Sequence, residues 1–353
     1  MPRFFIRNLF SSLLTNQNKR TNENTPECLN VTEPFDANNA QKIVIPVMGP
    51  TGAGKSTLIN MVCGDEKVVV GHDIQSCTSV VTPVEIDVNP FLHQFPWLKN
   101  RTLLLVDTPG FDDTYLGDME ILTIIADWLK SAYKDHVLGG VLYLYDVTND
   151  RYTGSARKNL DIFRGICGQD AFDIVVLGAS KGGRISPELG QQRLKALKDT
   201  HWKEFISEGA EIVTIDDTRQ SAKNAVAQVL HSFTKKREES KKQAAIKTPA
   251  VTRKEQKGIL NSEDHITALA IQEELVDKKF IVPETSAGKE LRVTLREVLE
   301  YEKKYLELAK RDGDEDEETK QELQNALEQI RKLSKQLEQL KVPLGRRLLS
   351  ILR

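Results

Sequence analysis

Hydrophobic and polar positions change their spacing along the chain. Between Lys42 and about Phe233, short apolar runs alternate with stretches in which apolar residues recur every three or four positions. The runs predict strands and the stretches predict helices. We expect strands at 43–48, 80–88, 103–106, 140–145, 173–177 and 211–215, and helices at 56–63, 118–133, 155–167, 187–205 and 221–231. This alternation predicts an α/β fold, a three-layer α/β/α arrangement with a mainly parallel sheet.

The first forty residues have a different pattern. Residues 1–20 carry four basic residues and no acid, and their apolar side chains share one helical face. A polar, asparagine-rich stretch follows. We expect a flexible segment over 1–40 with an amphipathic basic helix. That helix is predicted to lie in a lipid interface, to act as an organellar targeting peptide, or to pack on the protein.

The last third of the chain is predicted to be a helical extension. Mixed charges at 235–247 break the α/β pattern, so we expect one domain over 41–233, a linker over 234–261 and helices over 262–353. These helices are expected at 262–279, 289–311 and 318–340, with an acidic loop at 312–318 and an amphipathic basic end at 343–353. Leucines and other apolar residues from Leu323 to Leu344 alternate three and four apart. This seam predicts a short coiled coil or a helix lying on the chain's own first domain.

Composition excludes several classes of protein. The chain has 353 residues, 49 basic and 51 acidic, so no overall basic field indicates a nucleic-acid partner. Its four cysteines have no metal-binding spacing and are too few for a disulfide framework. No apolar stretch approaches the ~20 residues of a membrane span. We expect a cytoplasmic protein, with peripheral membrane contact through the termini as an open alternative.

The strongest chemical signal follows the first predicted strand. The motif G-x-x-x-x-G-K-[ST] is matched in full, with a strand before it and a helical pattern after it. Its residues are Gly49, Pro50, Thr51, Gly52, Ala53, Gly54, Lys55, Ser56 and Thr57. Glycine lets the backbone turn its N–H groups onto phosphate oxygens, and the helix N-terminus adds positive potential. Lys55 is suited to bridge the β- and γ-phosphates, and the Ser56 hydroxyl is suited to hold Mg²⁺.

A second motif supports the same site. The apolar strand at 103–106 leads into Asp107-Thr108-Pro109-Gly110. The Asp107 carboxylate is expected in the Mg²⁺ shell, and the Gly110 N–H is expected to meet the γ-phosphate. The polar stretch 71–82 lies between the two motifs. Within it Thr78, Ser79 and Thr82 are alternatives for a hydroxyl ligand, and we prefer Thr78 as metal ligand and catalytic residue.

Together these motifs resemble the septin-like branch of P-loop GTPases, which includes septins, Toc GTPases and immunity-associated GTPases. The sequences carrying the likeness are G-P-T-G-A-G-K-S-T, S-C-T and D-T-P-G, and softer similarities extend over about 41–310, most like fungal G-domain proteins. The resemblance implies a Ras-like G domain, GTP or GDP with Mg²⁺ as ligands, and dimers formed across the nucleotide.

Two positions depart from the family pattern. The resemblance places Ser180-Lys181 at the base-reading element, with Lys181 over the purine, but Gly183 stands where the guanine-reading acid is expected. Asp216 and Asp217 are candidates to compensate, or are surface acids at a strand end. Phe111 follows Gly110 where Ras-like GTPases carry a water-orienting glutamine, so intrinsic hydrolysis is expected to be slow.

Three functions remain open at this point. The first, which we prefer, is a Mg²⁺-dependent guanine-nucleotide switch with weak GTPase activity and self-association as a homodimer or homo-oligomer. The second is a P-loop ATPase or kinase, although no arginine-rich acceptor lid is evident. The third is an interaction scaffold that nucleotide merely stabilises.

Overall fold

The computed structural model describes residues 42–68, 80–111, 117–247, 267–312 and 317–351. The strands in these ranges are β1 Lys42–Met48, β2 Thr82–Ile86, β3 Leu103–Asp107, β4 His136–Leu138, β5 Val141–Asp146, β6 Val175–Ser180 and β7 Glu211–Thr214. The helices are α1 Lys55–Cys63, α2 Asp118–Asp135, α3 Gly154–Cys167, α4 Pro187–Asp199, α5 Lys203–Ser207, α6 Arg219–Lys247, α7 Ala270–Val276, α8 Ser286–Asp312, α9 Glu317–Gln339 and α10 Leu344–Ile351.

The described strands form one sheet in the order β2-β3-β1-β5-β6-β7. Strand β2 runs antiparallel to β3, and the other neighbours are parallel. The short strand β4 also pairs with β1. This is a Ras-like P-loop fold, as predicted. Because β1 lies in the middle, its carboxyl end opens at the crevice where ligands of such sheets bind.

Helices cover both faces of the sheet, which gives the predicted three layers. One hydrophobic cluster joins the sheet to α2, α3 and the C-terminal helices. A second cluster joins the other face to α1 and α6. The central strands β3 and β5 are buried on both faces, so their residues are mostly apolar rather than alternating, up to the aspartate that ends each strand.

The C-terminal helices pack on the first face. Gly165 of α3 permits this close approach, since a Cβ there would lie 2.7 Å from the Ala287 Cα of α8. On α7, Gln272 donates to the Leu129 carbonyl at 3.0 Å. The Glu274 carboxylate accepts hydrogen bonds from the Ser286 N–H at 2.9 Å and hydroxyl at 2.7 Å, which caps the start of α8.

The seam of α9 is occupied within the chain. Ala326 and Leu340 are buried, and Leu333 and Leu337 pack against the cluster that includes α2 and α3. Helix α9 lies mainly along α8 and also touches α2. The spacing therefore corresponds to a helix pair within the extension that also contacts the first domain. The seam ends before Leu344, whose side chain is 76% exposed.

Several element bounds differ from the sequence prediction. Strand β6 begins at Val175 and continues to Ser180, because Gly178, Ala179 and Ser180 pair with β5. Strand β4 was not predicted, since three residues give no periodic signal. Strand β2 is shorter at both ends than the apolar run at 80–88.

The helices also differ. The helix predicted at 187–205 is two helices, because the chain turns at Thr200–Trp202 to bury the Trp202 ring completely. Helix α6 continues to Lys247, past the charged segment expected to end the α/β pattern. Lysine and glutamate favour helix, and Lys236 forms an ion pair with Asp173. Helix α7 covers only part of the predicted 262–279, of which residues 262–266 lie outside the described ranges.

Of the two terminal helices that the sequence predicts, the structure describes only the C-terminal one. The N-terminal amphipathic helix lies outside the described residues. At the other end α10 forms, and Arg346 bonds to the Glu284 carboxylate at 2.5 Å and to the Lys279 carbonyl at 3.2 Å. Among the described helices, none combines the length and apolar character that crossing a bilayer requires.

Candidate functional site

The phosphate-binding motif forms the turn between β1 and α1. Gly49 has φ +138°, and a Cβ there would lie 2.2 Å from the Leu144 carbonyl oxygen of β5. Gly54 caps α1 with φ +89°. Both positions therefore require glycine, for close approach in the first case and for a left-handed backbone in the second. The turn directs the N-terminus of α1 toward the crevice above β1.

Lys55 crosses the inside of this turn. Its ammonium donates to the Gly49 carbonyl at 3.0 Å and to the Pro50 carbonyl at 2.9 Å, and the residue is only 6% exposed. The positive charge is thus held within the loop that carries the motif. A cation placed there faces the space enclosed by the loop's N–H groups, where an anion binds.

Ser56 and Asp107 meet at the next position along the crevice. The Ser56 hydroxyl donates to the Asp107 Oδ2 at 2.6 Å. Asp107 ends β3 and is fully buried, and its register partner on β1 is Val47. The neighbouring Thr108 hydroxyl donates to the Val47 carbonyl at 2.7 Å, which fixes the start of the D-T-P-G turn on β1.

The D-T-P-G turn packs directly on the phosphate loop. The Thr51 hydroxyl lies 3.2 Å from the Gly110 carbonyl, and the Thr51 N–H donates to the Phe111 carbonyl at 3.2 Å. A Cβ on Gly110 would be 2.5 Å from the Thr51 nitrogen. The two motifs, far apart in sequence, therefore touch through backbone. We call residues 49–57 with Asp107–Gly110 the phosphate end of the cleft.

Phe111 contributes to the hydrophobic core. Its side chain is 4% exposed and belongs to the cluster beneath α2. Its position after Gly110 therefore offers a buried ring and no polar group. Asp112 and Asp113, the polar candidates beside it, and Thr78, the preferred hydroxyl ligand, lie outside the described residues.

The other end of the cleft is built from strand ends. The buried Ser180 hydroxyl lies 2.8 Å from the Ala53 carbonyl of the phosphate loop and 3.0 Å from the Tyr145 carbonyl, and its single proton serves one at a time. Ser180 thus connects the end of β6 to the motif after β1. We call residues 180–184, Asp146 and 216–218 the base end.

Lys181 is held by an acid that the sequence argument missed. Its ammonium donates to the Asp146 Oδ2 at 2.6 Å, and its backbone is left-handed with φ +59°. Burial opposes ionisation of Asp146, but hydrogen bonds from Lys181 and Thr148 outweigh it and lower the pKa from 3.8. Asp146 ends β5, which lies parallel to and beside β6. Because the carboxyl ends of parallel strands meet at one edge of the sheet, the sequence could have indicated that Asp146 lies near Lys181.

The position of the expected base-reading acid is Gly183. The residue before it, Gly182, donates its backbone N–H to the Ile215 carbonyl at 2.9 Å. Beside it, Arg184 forms a bidentate pair with Asp217 at 2.6 and 3.2 Å. The two compensating candidates of the sequence argument, Asp216 and Asp217, therefore both lie next to this loop.

Comparison with known proteins finds similarity to GTPases over part of the chain. The family model described as "50S ribosome-binding GTPase" matches residues 44–164, from β1 through most of α3. GTPase Era of Agrobacterium fabrum is 33% identical over 66 residues, covering 19% of this chain and 17% of that protein. Cell division control protein 11 of Saccharomyces cerevisiae is 29% identical over 97 residues, covering 27% and 23%. The chain thus spans less than a quarter of the length of either relative.

Solved structures of similar proteins include Toc33 from Arabidopsis thaliana in complex with GDP and Mg²⁺. It is 16% identical, with a TM-score of 0.44, and the match covers 56% of this chain and 86% of that one. Era from Aquifex aeolicus bound to GDP and AlF4⁻ is also 16% identical, with a TM-score of 0.38 and coverage of 54% and 57%. The family match covers both motifs, so residues 44–164 are similar to the G domain of P-loop GTPases.

Proposed function

We propose that this chain is a Mg²⁺-dependent guanine-nucleotide switch protein with slow GTP hydrolysis and nucleotide-controlled self-association. The observation that carries the proposal is the grouping of Lys55, Ser56 and Asp107 around one phosphate-binding turn. A triphosphate brings three to four negative charges, and a buried lysine, a helix N-terminus and a divalent cation are the groups that balance them.

The residues present suit Mg²⁺. This cation takes oxygen ligands, keeps several waters and binds through few protein groups besides the substrate phosphates. The Ser56 hydroxyl and the Asp107 carboxylate supply oxygens 2.6 Å apart. Ser56 would hold the ion directly, Asp107 would hold its water shell, and Thr78 is the proposed further ligand. The ion would neutralise charge on the β- and γ-phosphates.

The switch is proposed to act through Gly110. Its backbone rests on Thr51 of the phosphate loop, so a γ-phosphate hydrogen-bonded to the Gly110 N–H would act on both motifs together. Residues 112–116 connect this contact to the start of α2 at Asp118. Asp118 is buried and paired with Lys158 of α3 at 2.8 Å. Loss of the γ-phosphate would therefore change the contact at Gly110 and, through the chain that follows it, the position where α2 begins.

Slow hydrolysis follows from Phe111. An attacking water needs a polar group to orient it, and a phenyl ring buried in the core supplies none. Efficient turnover would then require a group from a second copy or from a partner. The expected homodimer would form over the nucleotide cleft, because the α9 seam is already covered within the chain. Cytoplasmic location and peripheral membrane contact through the termini stay predictions.

The test is equilibrium binding of GTP, GDP and ATP to the full chain by calorimetry, with Mg²⁺ and then with EDTA. We expect GTP to bind more tightly than ATP, and EDTA to weaken GTP binding. Multiple-turnover phosphate release at rising protein concentration, with sedimentation in GDP and in a non-hydrolysable GTP analogue, tests slow and assisted hydrolysis.

Each alternative has its own outcome in these measurements. Tighter binding of ATP would support the ATPase alternative. Binding without any turnover would support the nucleotide-stabilised scaffold. A monomer in both nucleotides, with a rate per molecule independent of concentration, would contradict self-association.

A further inference from the structure

The base end has no acid at position 183, yet a carboxylate residue stands beside it. A Cβ built on Gly183 would lie 3.3 Å from the Asp216 Cβ, its nearest neighbour. The side chain of Asp216 therefore starts next to the point where the side chain of an acid at position 183 would start. Gly183 has no left-handed backbone that would require glycine, so its lack of a side chain leaves room for a neighbour.

This neighbour is fixed by the sheet. Strands β6 and β7 are parallel, and the Ile215 N–H donates to the Ala179 carbonyl at 2.8 Å. The Gly182 N–H returns a hydrogen bond to the Ile215 carbonyl at 2.9 Å. Because Ser180 is in turn bonded to Ala53, the turn that carries Asp216 is connected to the phosphate loop in two steps.

Asp216 and Asp217 differ in what they already bind. Both carboxylate oxygens of Asp217 accept from Arg184. In Asp216, Oδ1 accepts from the Thr218 N–H at 3.0 Å and from the Thr218 hydroxyl at 2.5 Å. The Thr218 hydroxyl bond is the main reason that the pKa of Asp216 is lowered from 3.8, so the group is an anionic acceptor at neutral pH.

We propose that Asp216 supplies the carboxylate that selects guanine, in place of an acid at position 183. The proposal rests on the proposed function and names the residue that sets its base preference. Guanine presents two donors on one edge, the N1–H and the 2-amino group, and an ionised carboxylate only accepts. Adenine has an acceptor at N1 and no 2-amino group, so it leaves the carboxylate unmatched. Unmatched polar groups in a site are the main source of such discrimination.

The same chemistry predicts a change of base in one variant. Asparagine at 216 would offer one donor and one acceptor. Xanthine has the N1–H donor but a carbonyl at C2, so it matches an amide where guanine does not. Asp216→Asn should therefore weaken GTP binding about 10- to 100-fold, because a hydrogen bond to a charged group is lost. XTP binding should rise by a comparable factor, because an amide N–H replaces a carboxylate oxygen that would repel the C2 carbonyl.

The experiment measures binding of GTP, ATP and XTP with Mg²⁺ to the full-length wild type, to Asp216→Asn and to Asp217→Asn. We expect the exchange of GTP for XTP in Asp216→Asn, and wild-type preference in Asp217→Asn. A second variant, Asp216→Asn with Gly183→Asp, should recover GTP binding, because the new carboxylate enters beside the amide.

Three outcomes would overturn the proposal. The first is a GTP preference that is unchanged in Asp216→Asn. The second is an exchange of GTP for XTP binding in Asp217→Asn instead. The third is an equal loss of affinity for all three nucleotides in Asp216→Asn, with no recovery in the double variant. Failure of the wild type to bind GTP would contradict the proposed function itself. GTP binding by the wild type with no exchange in Asp216→Asn would contradict only the role of Asp216.

Discussion

The phosphate end of the cleft is carried by one continuous segment and the turn that rests on it, whereas the base end combines residues from three strand ends. At the phosphate end, Lys55 bonds to carbonyls of its own loop at 2.9 and 3.0 Å. At the base end, Ser180 bonds to Ala53, Lys181 bonds to Asp146, and Gly182 bonds to Ile215.

This difference determines which residues can change at each end without loss of binding. Phosphate recognition uses backbone N–H groups and a helix N-terminus, so glycine at set positions is essential and side chains matter little apart from Lys55 and Ser56. Base recognition uses side chains that meet across the sheet edge. A missing acid at Gly183 therefore leaves a second strand end, with Asp216, able to face the same space.

The largest effect is expected at the phosphate end. Lys55→Ala should lower the affinity for GTP and ATP alike by about 100-fold, because it removes a charge-assisted contact to phosphate and two bonds that hold the loop. Calorimetry with Mg²⁺ measures it. Lys303→Ala, which removes an exposed lysine paired with Glu300, is the control and should bind as wild type. A Lys55→Ala protein with normal affinity would remove the basis of the comparison.

A second prediction concerns the contact between the two phosphate motifs. Gly110→Ala should lower the free energy of unfolding by about 1–3 kcal/mol, since its Cβ would meet the Thr51 nitrogen at 2.5 Å and Cα at 2.7 Å. Urea unfolding without nucleotide measures the change. Gly154→Ala is the matched control, because nothing lies within 4 Å of its Cβ and alanine favours helix. Equal stability of the two variants would mean that the D-T-P-G turn does not press on the loop.

A third, smaller effect tests the connection between the two ends. Ser180→Ala should cost about 1 kcal/mol of unfolding free energy, because it removes the hydroxyl that lies between the Ala53 and Tyr145 carbonyls. GTP affinity should fall several-fold, since the base loop loses its attachment to the phosphate loop. The control is Ser131→Ala, an exposed serine bonded to the Trp128 carbonyl. If only stability falls, the two ends act independently.

The smallest effect is a pH dependence at the base end. The pKa of Asp146 is lowered, so the carboxylate stabilises the fold at neutral pH, and this contribution is lost as the pH falls below 3.8 through the folded-state value. The stability difference between wild type and Asp146→Asn should therefore narrow on acidification. Urea unfolding along a pH series checks it, with the exposed Asp127→Asn on α2 as control. A difference that stays constant with pH would mean that Asp146 is not held ionised by Lys181.

The C-terminal helices also show that sequence predicts a helix but not its neighbours. The spacing from Leu323 to Leu340 correctly predicts a helix with one apolar face, and both a partner helix and the chain's own domain satisfy such a face. Side chains on α2, α3 and α8 decide between them, since Leu333, Leu337 and Leu340 join the cluster that those helices form. Periodicity reports that a face is buried but not what buries it.

Sequence alone determined β1, the phosphate loop, α1 and the D-T-P-G strand end, because each depends on contiguous residues with local backbone demands. It also determined the α/β class, since fully apolar strands alternating with helices form a covered parallel sheet. Tertiary structure decided the rest: the three-residue strand β4, the burial of Trp202 that divides a predicted helix, the hold of Asp146 on Lys181, and the closeness of Asp216 to Gly183. These features depend on which strand ends become neighbours, and that is set by packing across the whole sheet.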